Sequence, residues 1–343
     1  MSPRMAKARH AGGIILGAMV IGFAAAWLLG GARPIAPPAS TPALVLERTI
    51  PLGAVKGRID HLAIDSGRKR LFVAELGNDT LAVVDLERGE VIKRIEGLHE
   101  PQGVGYLPNS DLVYVANAGD GAVQRFAGAD LAPAGSFQLG ADADNIRLDG
   151  SSRLVIGYGS GGLATVDAAS GRTIDDITLP AHPEGFQIDP KRGRIYVNLP
   201  FNLEVASIDR SSGKRVGRWG LSLAIGNFPM ALDEGGDRLF VGYRTPATLA
   251  MIDTRTGETI GTASICADAD DLFYDERRKR VYASCGAGEV GIYDAAFGLS
   301  ELESIATAPG ARTSLFVPAL DRLFVAVPEH QEHPAEVMVL APR

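Results

Sequence analysis

Two nearly identical acidic stretches, ADADN at Ala141–Asn145 and ADADD at Ala267–Asp271, stand 126 residues apart (141 to 267). Carboxylates with an amide oxygen are ligands that Ca²⁺ prefers, whereas carboxylates with imidazoles suit a transition metal or general acid–base chemistry. The two stretches can form one site only if the fold brings them together. The architecture therefore has to be predicted before the chemistry.

A sequence pattern recurs seven times at intervals of 40 to 44 residues, and each copy holds a short apolar strand, a polar turn and a second apolar strand. In most copies an Asp-to-Gly turn between two further strands follows, as in VVDLERGEVI, where the glycine supplies the positive φ of a hairpin loop. Four short strands in such a period are typical of a β-propeller blade. We predict an all-β, seven-bladed β-propeller with four-stranded antiparallel blades. The copies start at Asp60, Gln102, Asp144, Glu184, Phe228, Asp270 and Thr313.

The last copy is one strand short, because it ends at AEVMVLAPR after three strands. The missing strand has a candidate at the start of the repeats, where LVLERTIPLG from Leu44 is similar to RTIDDITLP from Arg172. We predict that this N-terminal strand completes the last blade and so removes an open sheet edge.

The first strand of each propeller blade lines the central channel, so the repeat register predicts which side chains converge at its mouth. ADADN and ADADD fall in blades three and six, on opposite sides of the channel. The predicted ligand-binding residues at the channel mouth are Asp60, His61, Glu100, Gln102, Asp144, Asn145, His182, Glu184, Asn227, Asp270, Asp271 and Arg312. His99, His330 and His333 are predicted on the same face.

Several carboxylates around one channel repel each other, and a bound cation would relieve that repulsion. The predicted metal ligands are Glu184, Asn145, Asn227 and Asp270, and the predicted cofactor is a divalent ion, either Ca²⁺ or a transition metal. A solvated polar rim and a catalytic site are the alternatives. Arg312 is the one basic residue at the ring positions, where it either binds an anionic ligand or neutralises Asp60 or Asp270.

Residues 1–32 carry basic residues followed by a 22-residue uncharged apolar run, a pattern typical of either an uncleaved membrane anchor or a cleaved signal peptide. A Pro-rich linker at 33–43 and the propeller at 44–343 follow. Both interpretations predict a periplasmic or extracytoplasmic propeller, in contact with the membrane only if the segment stays uncleaved.

The exported part has 31 basic and 41 acidic residues, a net charge of −10, which disfavours nucleic acid as a partner. Cys266 and Cys285 are the two cysteines, predicted on one face as either a disulfide or two free thiols. The chain has no CxxC motif, and neither haem nor a nucleotide is expected as a cofactor.

YVAN at Tyr114–Asn117, IYVN at Ile195–Asn198 and the repeated RLFV resemble the YVTN-type, or YncE-like, propellers over roughly residues 43–343. The resemblance implies a binding module for a small molecule, a metal ion or a protein partner. A metal-dependent hydrolase of the lactonase type is the alternative, because such propellers use a calcium cluster of Glu, Asn and Asp. Glu184, Asn145, Asn227 and Asp270 supply those residue kinds.

Overall fold

The computed structural model describes residues 42–331 and 333–343. The predicted anchor or signal peptide at 1–32 and nearly all of the predicted linker lie outside the described residues. Within the described part, none of the helices has the length and apolar character needed to cross a bilayer.

Seven four-stranded antiparallel sheets follow one another along the described chain, which confirms the predicted seven-bladed propeller. Two three-residue 3-10 helices, at Leu76–Asn78 and Pro200–Asn202, interrupt the strand succession. Blade one holds β2 (Leu62–Asp65), β3 (Arg70–Glu75), β4 (Thr80–Asp85) and β5 (Glu90–Ile95). Blade two holds β6 (Pro101–Leu107), β7 (Leu112–Asn117), β8 (Ala122–Ala127) and β9 (Pro133–Gln138). Blade three holds β10 (Ile146–Asp149), β11 (Arg153–Tyr158), β12 (Gly162–Asp167) and β13 (Thr173–Thr178).

The remaining blades repeat the same order of strands. Blade four holds β14 (Phe186–Asp189), β15 (Arg194–Leu199), β16 (Glu204–Asp209) and β17 (Arg215–Trp219). Blade five holds β18 (Ile225–Asp233), β19 (Arg238–Thr245), β20 (Ala247–Asp253) and β21 (Thr259–Ser264). Blade six holds β22 (Ala269–Asp275), β23 (Arg280–Cys285), β24 (Glu289–Asp294) and β25 (Ser300–Ala306). Blade seven holds β26 (Ser314–Val317), β27 (Arg322–Val327), β28 (Ala335–Pro342) and β1 (Leu44–Gly53).

The first and last strands of the described chain are neighbours in one sheet, whose order is β1-β28-β27-β26. They run antiparallel, with Leu44 opposite Pro342 and Ile50 opposite Val337. Ile50 also packs with Leu71 of blade one and Phe324 of blade seven in one buried cluster. The strand from Leu44 therefore belongs to blade seven and packs against blade one.

The core of the described propeller lies between blades. The middle strands are buried on both sides, because each blade stacks its apolar residues on those of the next. Phe72 of blade one, for example, packs with Val104 and Val113 of blade two. Blade two then packs on blade three through Tyr114 and Ile156. Burial of this kind stabilises the fold by about 25 cal/mol per Å² of apolar surface.

Ion pairs join neighbouring blades at the turns that follow three of the first strands. Arg68 donates to Asp111 of the next blade at 2.7 Å, and Arg278 donates to Asp321 at the same distance. Arg278 also pairs at 2.9 Å with Asp275, whose side chain is 3% exposed. Because these turns lie at the ends of the first strands, they occupy the face of the propeller opposite the strand starts.

The Arg278→Met substitution is expected to lower the free energy of unfolding by about 3 kcal/mol, because it removes the guanidinium that balances the charge of the buried Asp275 carboxylate. Arg277→Met is the matched control. Its side chain is 73% exposed and lies 3.3 Å from the same Asp321, so its loss is expected to cost under about 1 kcal/mol. Denaturant unfolding of both variants measures the difference. Equal effects would contradict a structural role for the buried pair.

Candidate metal and ligand site

The central channel contains a cavity of about 390 Å³ lined by residues from the first strands of all seven blades. Its apolar wall includes Ile64, Val104, Tyr106, Met230, Phe273 and Leu315. Its charged and polar wall consists of Arg58, His61, Asp144, Asn145, Arg147, Glu184, Gln187, Asp270, Asp271 and Ser314. The acidic stretches of blades three and six therefore meet in one cavity.

The strand pairing fixes the acidic positions in equivalent places. The backbone N–H of Asp144 donates to Gly157 O at 3.0 Å, and the N–H groups of Asp60 and Glu184 make the same bond to the second strand of their own blades. Each acid thus stands immediately before its first strand. A Cβ atom at Gly103 would collide with the Asp144 carbonyl, so a glycine there lets blade two approach the site closely.

Asp144 is the centre of a cluster of potential metal ligands. Ligand atoms of Asp60, His61 and Asp144 lie within 4.8 Å of one another, and so do those of Asp144, His182 and Glu184. We call these five residues the Asp144 cluster. His61 Nε2 lies 3.6 Å from Asp144 Oδ1 and 3.7 Å from Asp60 Oδ1, too far for hydrogen bonds. The groups converge without bonding each other, which leaves room for a cation between them.

Asp144 Oδ1 and the adjacent Asn145 Oδ1 are buried and have no hydrogen-bond partner among the described residues. Asp60 Oδ2 also lacks one, but it lies 2.7 Å from the Arg58 guanidinium. Asp144 is only 6% exposed and Asn145 only 3%. An unsatisfied buried acceptor costs about 1–3 kcal/mol. A cation coordinated by these oxygens would remove that cost.

Burial dominates the ionisation of the cluster. It raises the pKa of Asp144 well above the usual range, and the neighbouring Asp60 and Glu184 raise it further. Burial also raises the pKa of Glu184 to about 7. Burial instead lowers the pKa of His61 to about 3, so this imidazole is neutral and keeps a nitrogen lone pair for a metal.

Arginines neutralise some of the channel carboxylates but not all. Asp60 lies 2.7 Å from the Arg58 guanidinium. Asp270 pairs with Arg244 and, at 3.4 Å, with Arg312. By contrast, neither Asp144 nor Glu184 has a lysine or arginine within 4.0 Å in the described ranges. A bound cation would therefore stabilise the deprotonated forms of these two carboxyl groups.

The His182 ring is oriented by its surroundings. Its Nδ1 lies 2.6 Å from the carbonyl oxygen of Gly159 and 3.3 Å from Asp142 Oδ2. The hydrogen-bond network assigns the proton to Nδ1, so Nε2 carries the lone pair. Metal-ligating histidines commonly use this arrangement, in which a carbonyl or carboxylate holds the other ring nitrogen.

Four of the predicted site residues do not belong to the Asp144 cluster and make other contacts. Asn227 is buried and donates to Asn198 Oδ1 at 3.0 Å and to Glu204 O at 2.8 Å, so its amide N–H groups link blades four and five. Glu100 is exposed, with a left-handed φ of 52°. Gln102 is half-buried in β6, outside the cavity wall. Arg312 pairs with Asp268 at 3.0 Å as well as with Asp270.

The other histidines of the described ranges, His99, His330 and His333, belong to neither ligand triad. His99 has a 62% exposed side chain 3.9 Å from Asp120. His330 and His333 stack on each other with ring centroids 5.2 Å apart. Cys266 and Cys285 form a disulfide that joins the segment before β22 to the end of β23.

Sequence reasoning missed the basic residues of the cavity. Arg312 is not the one basic residue near the acidic ring, because Arg58 and Arg147 line the cavity and Arg244 reaches Asp270. The position of Arg147 in the sequence could have predicted its place in the cavity. It is the second residue of the first strand of its blade, and in the NIRLD stretch the side-chain alternation points it away from the buried Ile146.

Comparison with known proteins places the chain in a structural class. No family model and no curated protein sequence matches it. A chain of the hydrazine synthase of Kuenenia stuttgartiensis is similar in structure, with a TM-score of 0.69, 14% identity and coverage of 78% of this chain and 91% of that chain. A chain of a mitotic checkpoint complex has a TM-score of 0.76, 13% identity and coverage of 93% and 98%. The chain is therefore a seven-bladed β-propeller, and likeness at this identity shows the fold alone.

Proposed function

We infer that this propeller is an exported, YncE-like binding protein that holds a divalent cation in the Asp144 cluster and binds a small molecule in the adjoining cavity. We include in this proposal export through residues 1–32 and closure of the ring by β1. The observation that carries the cation site is Asp144 itself. It belongs to both ligand triads, is buried, and has an oxygen without a partner.

The composition of the cluster favours a transition metal over Ca²⁺. Two imidazoles, His61 and His182, stand beside the carboxylates, and imidazole is a good ligand for Zn²⁺ or Mn²⁺ but a rare one for Ca²⁺. A small molecule is favoured over a protein partner, because the cluster lies at a concave channel cavity rather than on a flat surface.

The full-length chain is expected to bind Mn²⁺ or Zn²⁺ and to be stabilised by it by about 2.7 kcal/mol when the free ion reaches one hundred times its Kd. Elemental analysis of the purified protein and thermal unfolding with Mn²⁺, Zn²⁺, Ca²⁺ or EDTA measure this. A metal-free protein whose melting temperature no ion changes would overturn the cation site. A larger shift with Ca²⁺ than with Mn²⁺ or Zn²⁺ would overturn the metal preference.

A metal-dependent hydrolase of the lactonase type is the second candidate, and one observation favours it. In the metal-free protein burial raises the pKa of Glu184, next to His182 in the cluster, to about 7. In a hydrolase Glu184 would act as the general base while the triad of Asp60, His61 and Asp144 holds the cation. Turnover of a panel of lactones and esters by the Mn²⁺-loaded protein would select the hydrolase. Cation binding without turnover selects the binding protein.

A further inference from the structure

Arg147 differs from the other arginines of the channel. Arg58, Arg244 and Arg312 each lie within 4.0 Å of a carboxylate, whereas Arg147 has no carboxylate partner within that distance in the described part of the chain. Its Nη1 donates to the carbonyl of Ile146 at 3.0 Å. Its guanidinium carbon lies 5.5 Å from the centroid of the Phe186 ring. Most of its five N–H donors are therefore free on the cavity wall.

The surroundings of Arg147 make an unpaired charge costly. Ile64, Val104 and Met230 contribute apolar surface to the same cavity. Arg147 is half-buried on the cavity wall, and the partial loss of hydration lowers the pKa of its guanidinium. A charge that has lost part of its hydration is normally compensated by a partner.

The nearest carboxylates of the cavity have other partners. Asp271 Oδ2 accepts a hydrogen bond from the backbone N–H of Ser314 at 2.8 Å, and Asp271 Oδ1 lies 3.9 Å from His61 Nδ1. Asp144 belongs to the proposed cation site. Once a dication takes up the charge of that cluster, Arg147 still has no carboxylate within 4.0 Å among the described residues, and its free N–H groups can bind an anion. The loaded cavity is then suited to an anion.

We propose that the cavity binds a small organic carboxylate, whose acid group is held by the unpaired guanidinium of Arg147 and whose hydrocarbon part packs on the apolar wall. The proposal rests on the proposed cation site, because the cation removes the repulsion that the acidic cluster would exert on the ligand. The planar guanidinium matches a carboxylate in charge and hydrogen-bond geometry. A single free guanidinium beside several acids favours a monoanion over a phosphate dianion. The volume of about 390 Å³ fits a small ligand.

Calorimetric titration of the Mn²⁺-loaded, full-length protein with hexanoate, its neutral analogue hexanamide, and inorganic phosphate tests the proposal. Hexanoate is expected to bind at least about tenfold more tightly than hexanamide, a difference of about 1.4 kcal/mol. Arg147→Gln is expected to remove this preference while leaving hexanamide binding unchanged. Arg147→Lys keeps the positive charge but loses the planar arrangement of N–H donors. Its preference for hexanoate over hexanamide is expected to lie between those of the parent and Arg147→Gln. Arg172→Gln, an exposed arginine of the same blade, is the control and is expected to bind like the parent.

Each outcome decides one point. Equal affinity for hexanoate and hexanamide, or a preference that survives in Arg147→Gln, would overturn the carboxylate site. Tighter binding of phosphate than of hexanoate would overturn the choice of ligand class. Mn²⁺ affinity is measured separately in the same variants. Its absence in the parent overturns the proposed function, while hexanoate binding at Arg147 in EDTA would show that the anion site does not need the cation.

Discussion

The Asp144→Asn variant is expected to bind Mn²⁺ at least about 100-fold more weakly than the parent protein, since a change even in the outer shell of a metal site costs about 10–100-fold. The physical reason is that Asp144 supplies a ligand oxygen to both triads, so its loss leaves no intact triad among the residues that the structure describes. One hundredfold in affinity corresponds to about 2.7 kcal/mol. Calorimetric titration with Mn²⁺ measures it.

The same variant provides its own test of folding. Without a metal, Asp144→Asn removes one of the mutually repelling buried carboxylates, so its melting temperature in EDTA at pH 8 is expected to equal or exceed that of the parent. Asp175→Asn makes the same chemical change at an exposed position of β13 in the same blade, and we expect it to leave Mn²⁺ affinity unchanged. Undiminished Mn²⁺ binding by Asp144→Asn would show that the cation lies elsewhere.

The metal-free protein is expected to lose stability as the pH rises from 6.5 to 8.5. The pKa of Glu184 is raised by burial to about 7 in the folded state from its ordinary value of 4.5, so the folded state holds a proton that the unfolded state has released. Its contribution, up to about 3 kcal/mol, is complete below pH 4.5 and is lost as the pH passes 7. About 1 kcal/mol of it falls in the measured window. Asp144 and Asp271 act in the same direction, because burial raises the pKa of both carboxyl groups.

The choice of pH window matters because the contribution of His61 to stability changes with pH in the opposite direction. Its pKa is lowered to about 3 in the folded state, so its stabilising contribution is present above pH 6.5 and declines as the pH falls. Between pH 6.5 and 8.5 the His61 contribution rises by about 0.4 kcal/mol, which is less than the loss from Glu184. Urea unfolding in EDTA at both pH values measures the effect. Glu184→Gln is expected to flatten the slope, and saturating Mn²⁺ is expected to reverse it, because the cation binds the deprotonated cluster. A parent protein that becomes more stable at pH 8.5 in EDTA would contradict this account.

The period of about 42 residues was sufficient to predict the blades, because a repeated pattern of strands can bury its apolar faces only by stacking on its neighbours. The same register predicted that Asp144 and Asp271 would face one space, and both line the cavity. Position along a first strand is fixed by backbone pairing. This part of the site follows directly from the spacing of the repeats.

Side-chain pairing across blades could not be predicted in the same way. Asp270 lies at a ring position like Asp144, yet Arg244 from the end of another strand reaches it. Asn227 stands one position before the equivalent residue of blade five, and its amide is bonded to Asn198 of the previous blade. These partners come from loops and strand ends, whose directions the periodicity does not specify. Arg147 was missed because the acidic positions that predict the site precede the first strands, whereas Arg147 lies within one.

The partnership of β1 with β28 has a consequence for biosynthesis. Leu44 and Pro342 face each other, so roughly 300 residues of chain must be made between the two halves of this contact. At a synthesis rate of about 5–20 residues per second, the apolar N-terminal strand remains without its partner strand for about 15–60 s. During this time its backbone amide and carbonyl groups can pair with another chain. A ribosome-bound intermediate of this propeller is therefore the stage at which a holdase chaperone would protect it most.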